Sequence, residues 1–529
     1  MQGASVDPIA KSFDETVDVV VVGYGFAGAV TAIEAARAGA SVLVVEKATV
    51  PGGISICSYG AVRCATDPEQ ALQYLTVTNG GRTPADVVRG LAYGMAEQED
   101  YVRELAAASD AEVTTTKGAG KTGANYPFPG VDTFYQTLIR AVPGFVPSAV
   151  YPWANGAPGG PLLFKVLEDN LVRRKVELRL GTPALRLLRT GTAREVAGIA
   201  VLAGGAVRRI RARRAVVLAC GGFEGNTEFQ EQFWEGKPVL HAAARRNAGD
   251  GIVMAQDMGA QLWHMWHFHG AYGFRHSDPD YPYAVRVKRL PDWVPRTQGF
   301  IARRDEGGGI DAAQVKMAWI LLDKLGRRFM NEYQPYVQDT GHRALHQFDP
   351  EMQDYPRIPC YLICDDDGRR LYPLGRPTSN DEGVRYDWSA DNMKEVASGI
   401  ITQAATLDEL ARRLGLPPAP VAASVARWNE LCASGDDDFG RPSGTMVPVK
   451  KPPFFGAPVW PVVSNTQGGP VHDARQRIID SFGQPIGRLY AAGELGSAWG
   501  HLYISGGNIS ECFISGRIAG REASGLPPQ

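Results

Sequence analysis

The sequence lacks the features that mark several large classes of protein. Its 529 residues contain no apolar run near the ~18 residues that span a bilayer, and its seven cysteines show neither Cys-x-x-Cys nor Cys-x-x-Cys-His spacing. A net charge of −2 gives no field that would attract nucleic acid or an anionic membrane. The first residues lack the charged and apolar regions of a signal peptide, and scattered cysteines favour reduced thiols. We therefore expect a cytoplasmic protein of two or three domains without a transmembrane segment.

The most informative segment lies between residues 17 and 46. An apolar strand runs into three glycines with the spacing Gly-x-Gly-x-x-Gly, and an Ala-rich helix is predicted from about Phe26 to Ala38. A second apolar strand then ends in Glu46. Strand, glycine turn, helix, strand and acid in this register are typical of a dinucleotide-binding βαβ unit.

Each part of this segment has a mechanical reason. Gly23 permits the tight turn, Gly25 lets the backbone approach a pyrophosphate, and Gly28 lets helix and strand pack closely. The free N–H groups at the helix N-terminus attract phosphates, and Glu46 is placed to accept the hydroxyls of an adenosine ribose. The segment predicts that the chain binds an ADP-containing dinucleotide.

A second glycine cluster near the C-terminus indicates that this dinucleotide is a flavin. An apolar strand ends in Gly493-Glu494, and Gly506-Gly507-Asn508 opens a helix that is predicted to end near Ser524. The ribityl hydroxyls of a flavin suit a carboxylate such as Glu494. A helix N-terminus stabilises the charge that the flavin pyrimidine gains on reduction.

The composition changes between these two clusters and predicts an inserted domain. Residues from about 245 to 445 are rich in Trp, His, Pro and Arg, whereas the flanking segments carry apolar strands that end in glycines. We expect an α/β fold with a discontinuous, Rossmann-like FAD-binding domain at 1–245 and 446–529 and an inserted α+β substrate-capping domain at 246–445. We expect helices at 84–108 and 161–174, an irregular functional loop at 110–160, and strands at 176–180, 196–202, 206–211 and from Arg214 towards Gly221.

The chain resembles the FAD-dependent fumarate reductase and 3-ketosteroid dehydrogenase family over nearly its whole length. Besides the two glycine clusters, the resemblance is carried by Gly52-Gly53 and by residues 219–223, 247–251, 326–332, 466–469 and 515–520. It implies non-covalent FAD, because the His-Ser-x-x-Ala motif of covalently linked members is absent after the first βαβ unit. The expected cofactor contacts are Gly23, Gly25, Phe26, Ala27, Gly28, Glu46, Lys47, Gly52, Gly53, Ser55, Ala184, Ala219, Gly221, Asn247, Asp250, Gly493, Glu494, Gly507, Asn508 and Ile509.

The substrate positions resemble the 3-ketosteroid dehydrogenase branch more closely than the fumarate-reducing branch. Fumarate-reducing members carry His-Gly-x-Asn-Arg-x-Gly-Gly-Asn, where this chain has Gly500, Tyr503 and Ile504 in place of His, Asn and Arg. Tyr-Gln-Pro-Tyr336 stands where their catalytic arginine is expected. Isoleucine cannot pair with a carboxylate, so a dicarboxylate substrate is disfavoured, although His501 lies one position out of register.

Ketosteroid dehydrogenases place three tyrosines at the substrate, and this chain has tyrosines at matching positions. The family pattern implies that the Tyr503 hydroxyl and the Gly507 N–H hold the substrate ketone. Tyr126 and Tyr336 match the other two positions, and Tyr151 or Tyr333 could take the place of either. The catalytic residues that the resemblance implies are Tyr126, Tyr336, Tyr503, Ser505 and Gly507.

Desaturation beside a ketone explains why such residues are needed. A proton leaves the α carbon, a hydride leaves the β carbon for flavin N5, and two hydrogen bonds to the ketone oxygen stabilise the developing enolate. An unperturbed tyrosine has a pKa of ~10, so we expect a neighbouring hydroxyl or charge to lower the pKa of the base. We also expect a pocket of Tyr, Trp and Phe with few charges, which suits a flat apolar ring.

The sequence thus predicts an FAD-dependent desaturase of a cyclic, steroid-like ketone, a 3-ketosteroid Δ1- or Δ4-dehydrogenase. An external acceptor such as a quinone, a dye or oxygen would reoxidise the flavin. Two alternatives within enzymes are a desaturase of a smaller ring ketone and a fumarate-reductase-like ene-reductase. A third is an electron-transfer flavoprotein without its own organic substrate. His264, His267 and His269 do not share one helical face, so we expect them to pack and to line the cap without binding metal.

Overall fold

The computed structural model describes residues 6–116, 126–154, 159–191, 195–242, 244–288, 316–334, 337–376, 378–381 and 384–529. Its strands are β1 (Glu15–Val22), β2 (Val42–Val45), β3 (Val62–Ala65), β4 (Glu112–Thr115), β5 (Phe134–Ala141), β6 (Glu177–Arg179), β7 (Ala184–Leu188), β8 (Gly198–Ala203), β9 (Ala206–Leu218), β10 (Leu240–His241), β11 (Leu262–Trp263), β12 (Phe268–Phe274), β13 (Val285–Arg286), β14 (Ile320–Leu322), β15 (Cys360–Asp365), β16 (Thr378–Asp381), β17 (Val384–Tyr386), β18 (Thr402–Ala404), β19 (Phe454–Thr466), β20 (Gly469–Pro470), β21 (Arg477–Ile479) and β22 (Pro485–Ala491). Its helices are α1 (Phe26–Arg37), α2 (Pro68–Asn79), α3 (Ala85–Ala96), α4 (Gln98–Ala106), α5 (Pro147–Val150), α6 (Gly159–Arg173), α7 (Thr227–Phe233), α8 (Asp250–Asp257), α9 (Val337–Thr340), α10 (Asp366–Arg369), α11 (Met393–Ala397), α12 (Leu407–Arg413), α13 (Pro418–Ser434) and α14 (Gly507–Gly525).

Strand β1 lies at the centre of an eight-stranded sheet with a parallel core. The parallel order is β22–β9–β1–β2–β6, and β21, β8 and β7 extend it with antiparallel pairs. Val19 and Val21 belong to a core with α1, α6 and α14, whereas Val20 and Val22 belong to a core with α8. Successive residues of a strand point to opposite faces, so the apolar run of β1 is explained by helices on both sides. The predicted α/β, Rossmann-like architecture is confirmed.

Two glycines of the first turn are required by close backbone packing. Gly23 has a φ of 105°, and a Cβ added to it would lie 2.4 Å from the carbonyl oxygen of Ala219 on the neighbouring strand end. A Cβ on Gly28 would lie 2.0 Å from the carbonyl oxygen of Gly23. The start of α1 therefore lies directly against the turn that follows β1.

A second sheet is built around the long strand β19. Its order is β13–β12–β19–β15–β14, and β10 and β18 also pair with β19. Helices α12 and α13 pack with β14, β15 and β19 through a separate apolar core. Strand β19 follows residue 445, yet it pairs with strands from the stretch 246–445. The domain boundaries at 245 and 445 stay a prediction.

Two expectations about local structure are wrong. Residues 206–211 and 214–218 form the single strand β9, because β1 pairs with its arginine-rich middle on one side and β8 on the other. The stretch 110–160 is not one long loop, because it contains β4, β5 and α5, and β5 pairs with both β3 and β4. No helix in the described ranges is long and apolar enough to cross a membrane.

Candidate functional site

A cleft at the carboxyl ends of β1, β2 and β9 gathers most of the predicted cofactor contacts. The predicted residues that line it are Gly23, Gly25, Phe26, Ala27, Glu46, Lys47, Gly52, Gly53, Ser55, Ala184, Ala219, Gly221, Asn247, Asp250 and Glu494. Gly28 packs beneath the turn, Gly493 follows β22, and Gly507, Asn508 and Ile509 form the first residues of α14. Crevices at the carboxyl ends of parallel strands are where open α/β sheets bind dinucleotides.

The backbone around the glycine turn fixes the acid at the end of β2. Glu46 accepts hydrogen bonds from the N–H groups of Tyr24 at 2.9 Å and Ala48 at 2.8 Å. The hydroxyl of Ser55 accepts a hydrogen bond from the N–H of Phe26 at 3.1 Å. The loop that begins at Gly52 is thereby joined to the N-terminus of α1, where a pyrophosphate is expected.

Two carboxyl groups, those of the buried Glu224 and of the half-buried Glu494 that lines the cleft, share a hydrogen-bond donor. Asn247 donates to Glu224 at 2.7 Å and to Glu494 at 3.5 Å, and the N–H of Thr466 donates to Glu494 at 2.9 Å. Burial raises the pKa of Glu494 to about 7. Burial and the charge of Glu494 raise the pKa of Glu224. Glu224 was not among the predicted contacts, although it directly follows the Gly-Gly-Phe turn after β9.

We expect Glu224→Gln to flatten the pH dependence of stability of the apoprotein. A carboxyl group whose pKa is raised by folding stabilises the fold below its unfolded pKa, and this contribution is lost as pH rises from the usual carboxyl value of 4.5 through the raised pKa of Glu224 in the folded protein. Glutamine does not ionise, so the fall in melting temperature across this range should be smaller in the variant. Glu228→Gln, on the exposed start of α7, is the matched control. Equal slopes in Glu224→Gln and the wild type would contradict the argument.

Several buried polar atoms suit the polar edge of a flavin. Within the described residues, Asn508 Oδ1, Glu224 Oε2 and both side-chain polar atoms of Gln467 are buried without a hydrogen-bond partner. Buried polar atoms without partners are rare in native proteins and point to a ligand or to water. The N-terminus of α14, capped by Gly506 at a φ of 77°, adds the positive end of a helix dipole. The residues present therefore fit a bound flavin.

Tyr126 and Tyr503 are far apart in sequence and meet at one buried carboxyl group. The N–H of Tyr503 donates to Asp339 Oδ2 at 3.0 Å, and the Tyr126 hydroxyl lies 3.5 Å from the same oxygen. The Tyr126 hydroxyl also lies 2.8 Å from Thr340 Oγ1. Asp339 is fully buried and lies 3.6 Å from His269 Nδ1. Nothing in the sequence marks Asp339, because only the fold brings α9 next to Tyr503.

The hydroxyl of Tyr503 is held at the start of α14. It accepts a hydrogen bond from the N–H of Gly506 at 3.1 Å, and the Tyr503 ring lies 5.6 Å from that of Trp499. The N–H of Gly507 donates to Ile504 O at 2.8 Å, so its role in holding a ketone stays a prediction. Ser505 is fixed through its carbonyl, which accepts from Arg63 Nε at 2.6 Å.

The surroundings of Tyr126 and Tyr503 raise the pKa values of both hydroxyl groups. Burial raises the pKa of Tyr503 to about 12 and also raises the pKa of Tyr126, and the charge of Asp339 acts in the same direction on both. The Thr340 hydroxyl lowers the pKa of Tyr126, but burial outweighs it. The lowered pKa that was expected of the base is therefore wrong for Tyr126. Asp339 and the buried Arg63 are the charged groups that act on Tyr503. Both hydroxyls are neutral hydrogen-bond donors at neutral pH.

The other candidate tyrosines lie elsewhere. Tyr336 lies outside the described residues. Tyr333 belongs to the core of the second sheet, and Tyr151 packs against Trp153 in the core with α1. Neither shares the apolar core that contains Tyr126 and Tyr503.

His264 and His267 contact the loop before Tyr503, and the ring of His269 lies 4.4 Å from that of Tyr503 itself. His264 Nδ1 lies 2.8 Å from Ser497 O, and His267 Nδ1 lies 2.7 Å from Trp499 O. Glu511 of α14 binds the same loop through the hydroxyl of Ser497 at 2.6 Å. Three or more residues grouped to ligate a metal do not occur in the described part of the chain.

The βαβ unit, the acid at the end of β2 and the second helix N-terminus are the features of an FAD-dependent flavoprotein. The chain belongs to the FAD binding domain family, whose model matches residues 18–509. Its cofactor is FAD, and its family is one of FAD-dependent oxidoreductases. The relatives of this chain include 3-ketosteroid dehydrogenases and fumarate reductases.

Relatives with known activities align with nearly the whole chain. It is 29% identical to digoxin reductase of Eggerthella lenta, with 99% of this chain and 90% of that protein covered. It is 28% identical to 3-oxosteroid 1-dehydrogenase of Mycobacterium tuberculosis, with 95% and 97% covered. The crystal structure of 3-ketosteroid Δ1-dehydrogenase from Sterolibacterium denitrificans matches with a TM-score of 0.75 at 23% identity, covering 96% of this chain and 99% of that one, which shows a shared fold.

Proposed function

We propose that this FAD enzyme desaturates the bond beside the ketone of a cyclic, steroid-like substrate, as a 3-ketosteroid Δ1- or Δ4-dehydrogenase does. The observation that carries the proposal is the meeting of Tyr126 and Tyr503 at Asp339 beside the N-terminus of α14. The Tyr126 hydroxyl lies at Asp339, which accepts from the backbone N–H of Tyr503, and the Tyr503 hydroxyl lies at the start of α14. Two tyrosines from distant segments thus bring buried hydroxyl groups to this region, which suits a substrate that presents a ketone oxygen.

The two tyrosines have the protonation state that binding a ketone requires. Because their pKa values are raised, Tyr503 and Tyr126 keep their protons at neutral pH and can donate hydrogen bonds to the ketone. Such bonds strengthen as the oxygen becomes an enolate in a site without water. Bound FAD supplies the hydride acceptor, and an external quinone, dye or oxygen would take its electrons. The removal of the α proton falls to another group, for which Tyr336 is the candidate.

A second candidate function is reduction of the double bond, the reverse reaction. A neutral tyrosine that donates a hydrogen bond to the ketone also polarises the neighbouring double bond for hydride addition, so Tyr503 and Tyr126 serve this direction as well. The relative from E. lenta is named as a reductase, whereas the relative from M. tuberculosis is named as a dehydrogenase. Both directions use the same ketone contacts.

An anaerobic titration of the holoenzyme with ring ketones tests the proposal. The set should contain 3-oxosteroids saturated at each candidate bond and single rings of cyclohexanone size, and the flavin absorbance is followed. Bleaching by one steroid isomer is expected and would locate the bond. Bleaching by small rings alone would support desaturation beside a ketone but contradict a steroid substrate. If no ketone bleaches the flavin, and dithionite-reduced enzyme is reoxidised by the unsaturated ketones, the reductase assignment replaces the proposal.

A further inference from the structure

Glu224 and Glu494 form a pair of neighbouring carboxyl groups at the FAD cleft, which we call the carboxyl pair. A Cβ on Gly222 would lie 2.7 Å from Glu494 Oε1 and 3.0 Å from Glu224 Oε2, so both carboxyl groups flank the same point of the backbone. Asn247 Nδ2 lies 2.7 Å from Glu224 Oε1 and 3.5 Å from Glu494 Oε2. Glu494 lines the cleft, whereas Glu224 is fully buried.

The carboxyl pair has no cation to balance it. Neither member forms an ion pair with another residue in the described ranges, and Lys47, which lines the same cleft, pairs with Asp250. Glu224 Oε2 is buried and receives no hydrogen bond from the part of the chain that the structure describes. A proton on one member of the carboxyl pair would supply this missing donor, because a protonated carboxyl group carries an O–H.

Two sets of charged or ionisable groups surround the carboxyl pair. The charged residues that line the cleft with Glu494 are Glu46, Lys47, Arg246 and Asp250. The thiols of Cys220 and Cys512 also line it, and burial raises the pKa of each, so they are neutral. The groups that line a cavity of about 540 Å³ with Glu224 are Glu231, Lys237, His241, Arg275, His276 and Asp278.

Two acids in this arrangement are not both ionised at neutral pH. Burial and the charge of Glu494 raise the pKa of Glu224, and burial raises the pKa of Glu494 to about 7. Two neighbouring carboxyl groups without a counter-ion keep one proton between them, because the second ionisation would place like charges side by side. One acid would be enough to accept the hydroxyl groups of a flavin. The second acid therefore contributes a proton and not a further charge.

We infer that Glu224 is a positioning residue for the cofactor, which shares one proton with Glu494 and so holds Glu494 as the acceptor for the ribityl hydroxyls of FAD. FAD adds phosphate charges and excludes water from the cleft, and both effects disfavour a second negative charge on the carboxyl pair. FAD binding should therefore require the shared proton. The inference concerns the cofactor alone and does not depend on a ketone substrate.

The pH dependence of FAD affinity tests this inference. Holoenzyme is diluted in buffers between about pH 6 and about pH 9, and the FAD that is released at equilibrium is measured by its fluorescence. The carboxyl pair should hold its proton to a higher pH with FAD bound than without it. The dissociation constant of the wild type should therefore rise above about pH 7, where the free protein loses the proton that binding must restore. For one proton the rise approaches about tenfold per pH unit.

Glu224→Gln is the decisive variant, because glutamine can keep both hydrogen bonds without an ionisable proton. Its carbonyl oxygen can accept from Asn247 and its amide N–H can donate to Glu494. The variant should bind FAD as tightly as the wild type at about pH 6 and retain that affinity at about pH 9. Glu224→Leu, which can form neither bond, should bind FAD about tenfold more weakly at every pH. A wild-type dissociation constant that does not change with pH, or an equal rise in Glu224→Gln, would overturn the inference.

Glu511→Gln is the matched control. Glu511 of α14 is a buried carboxyl group whose pKa burial raises to about 7, but it accepts from the Ser497 hydroxyl and the Ala498 N–H and lies outside the carboxyl pair. This variant should keep the wild-type slope of affinity against pH, even if its affinity differs. A slope that is lost in Glu511→Gln and kept in Glu224→Gln would assign the proton to Glu511 and reject the carboxyl pair. Since no ketone is used, these outcomes leave the proposed function to its own titration.

Discussion

Tyr503→Phe should retain FAD and lose turnover by a factor on the order of 10²–10³, the effect of removing one donor from an oxyanion site. The hydroxyl of Tyr503 is buried, and its pKa is raised to about 12, so it stays protonated and can donate to a ketone. Phenylalanine keeps the ring contact with Trp499 and removes only the donor. The measurement is the rate of anaerobic flavin bleaching at saturating ketone, with FAD content determined from absorbance.

A second tyrosine separates this effect from general loss of stability. The hydroxyl of Tyr101 donates to Glu34 at 3.0 Å between α4 and α1, outside the core of Tyr126 and Tyr503. Tyr101→Phe and Tyr503→Phe both lose buried hydrogen bonding of a hydroxyl, which costs about 1 kcal/mol of folding free energy for each bond. Only Tyr503→Phe should lose turnover. Full activity in that variant would remove Tyr503 from the mechanism.

Gly28→Ala should yield a destabilised protein that is purified without flavin. The added methyl group would lie 2.0 Å from the carbonyl oxygen of Gly23, which is backbone and cannot turn aside. Overpacking of this kind costs about 1–3 kcal/mol or more, and the only relief is to move α1 away from the turn. The helix N-terminus would then lie too far from the phosphates to stabilise them. Melting temperature and the flavin absorbance of the purified protein measure the two effects.

A glycine-to-alanine substitution in another helix should have the opposite effect on stability. Gly90 lies inside α3, and a Cβ there would meet no atom within 4 Å. Gly90→Ala should stabilise the protein by about 0.5–1 kcal/mol, because alanine loses less conformational freedom on folding than glycine. A variant Gly28→Ala that binds FAD normally would show that the contact between α1 and the turn relaxes without cost.

The nucleotide half of the site could be predicted from sequence because its residues are adjacent in the chain. Gly23, Gly28 and Glu46 lie within one βαβ unit, where each has a steric or electrostatic requirement that only a few residue types meet. The helix α14 and the carboxylate before it follow the same local rules. These positions depend on local geometry, which a single sequence is sufficient to predict.

The substrate half could not be predicted in the same way, because its contacts join distant segments. Asp339 reaches Tyr503 only through the packing of α9 against β12, and the charge that it adds has no pattern along the chain. The pKa values of Tyr126 and Tyr503 rise because of burial, which sequence does not give. Arg63 was detectable in the sequence, since it interrupts the otherwise small and apolar run of β3.

Strand β19 makes the second sheet and the flavin site parts of one cooperative unit. It pairs with β10, β12, β15 and β18 and ends at Thr466. There its N–H binds Glu494 and its hydroxyl accepts from the N–H of Phe223. A ligand that stabilises Glu494 therefore also raises the free energy needed to open the end of this strand. Amide exchange and protease cleavage in the second sheet should accordingly report how much of the protein carries its flavin.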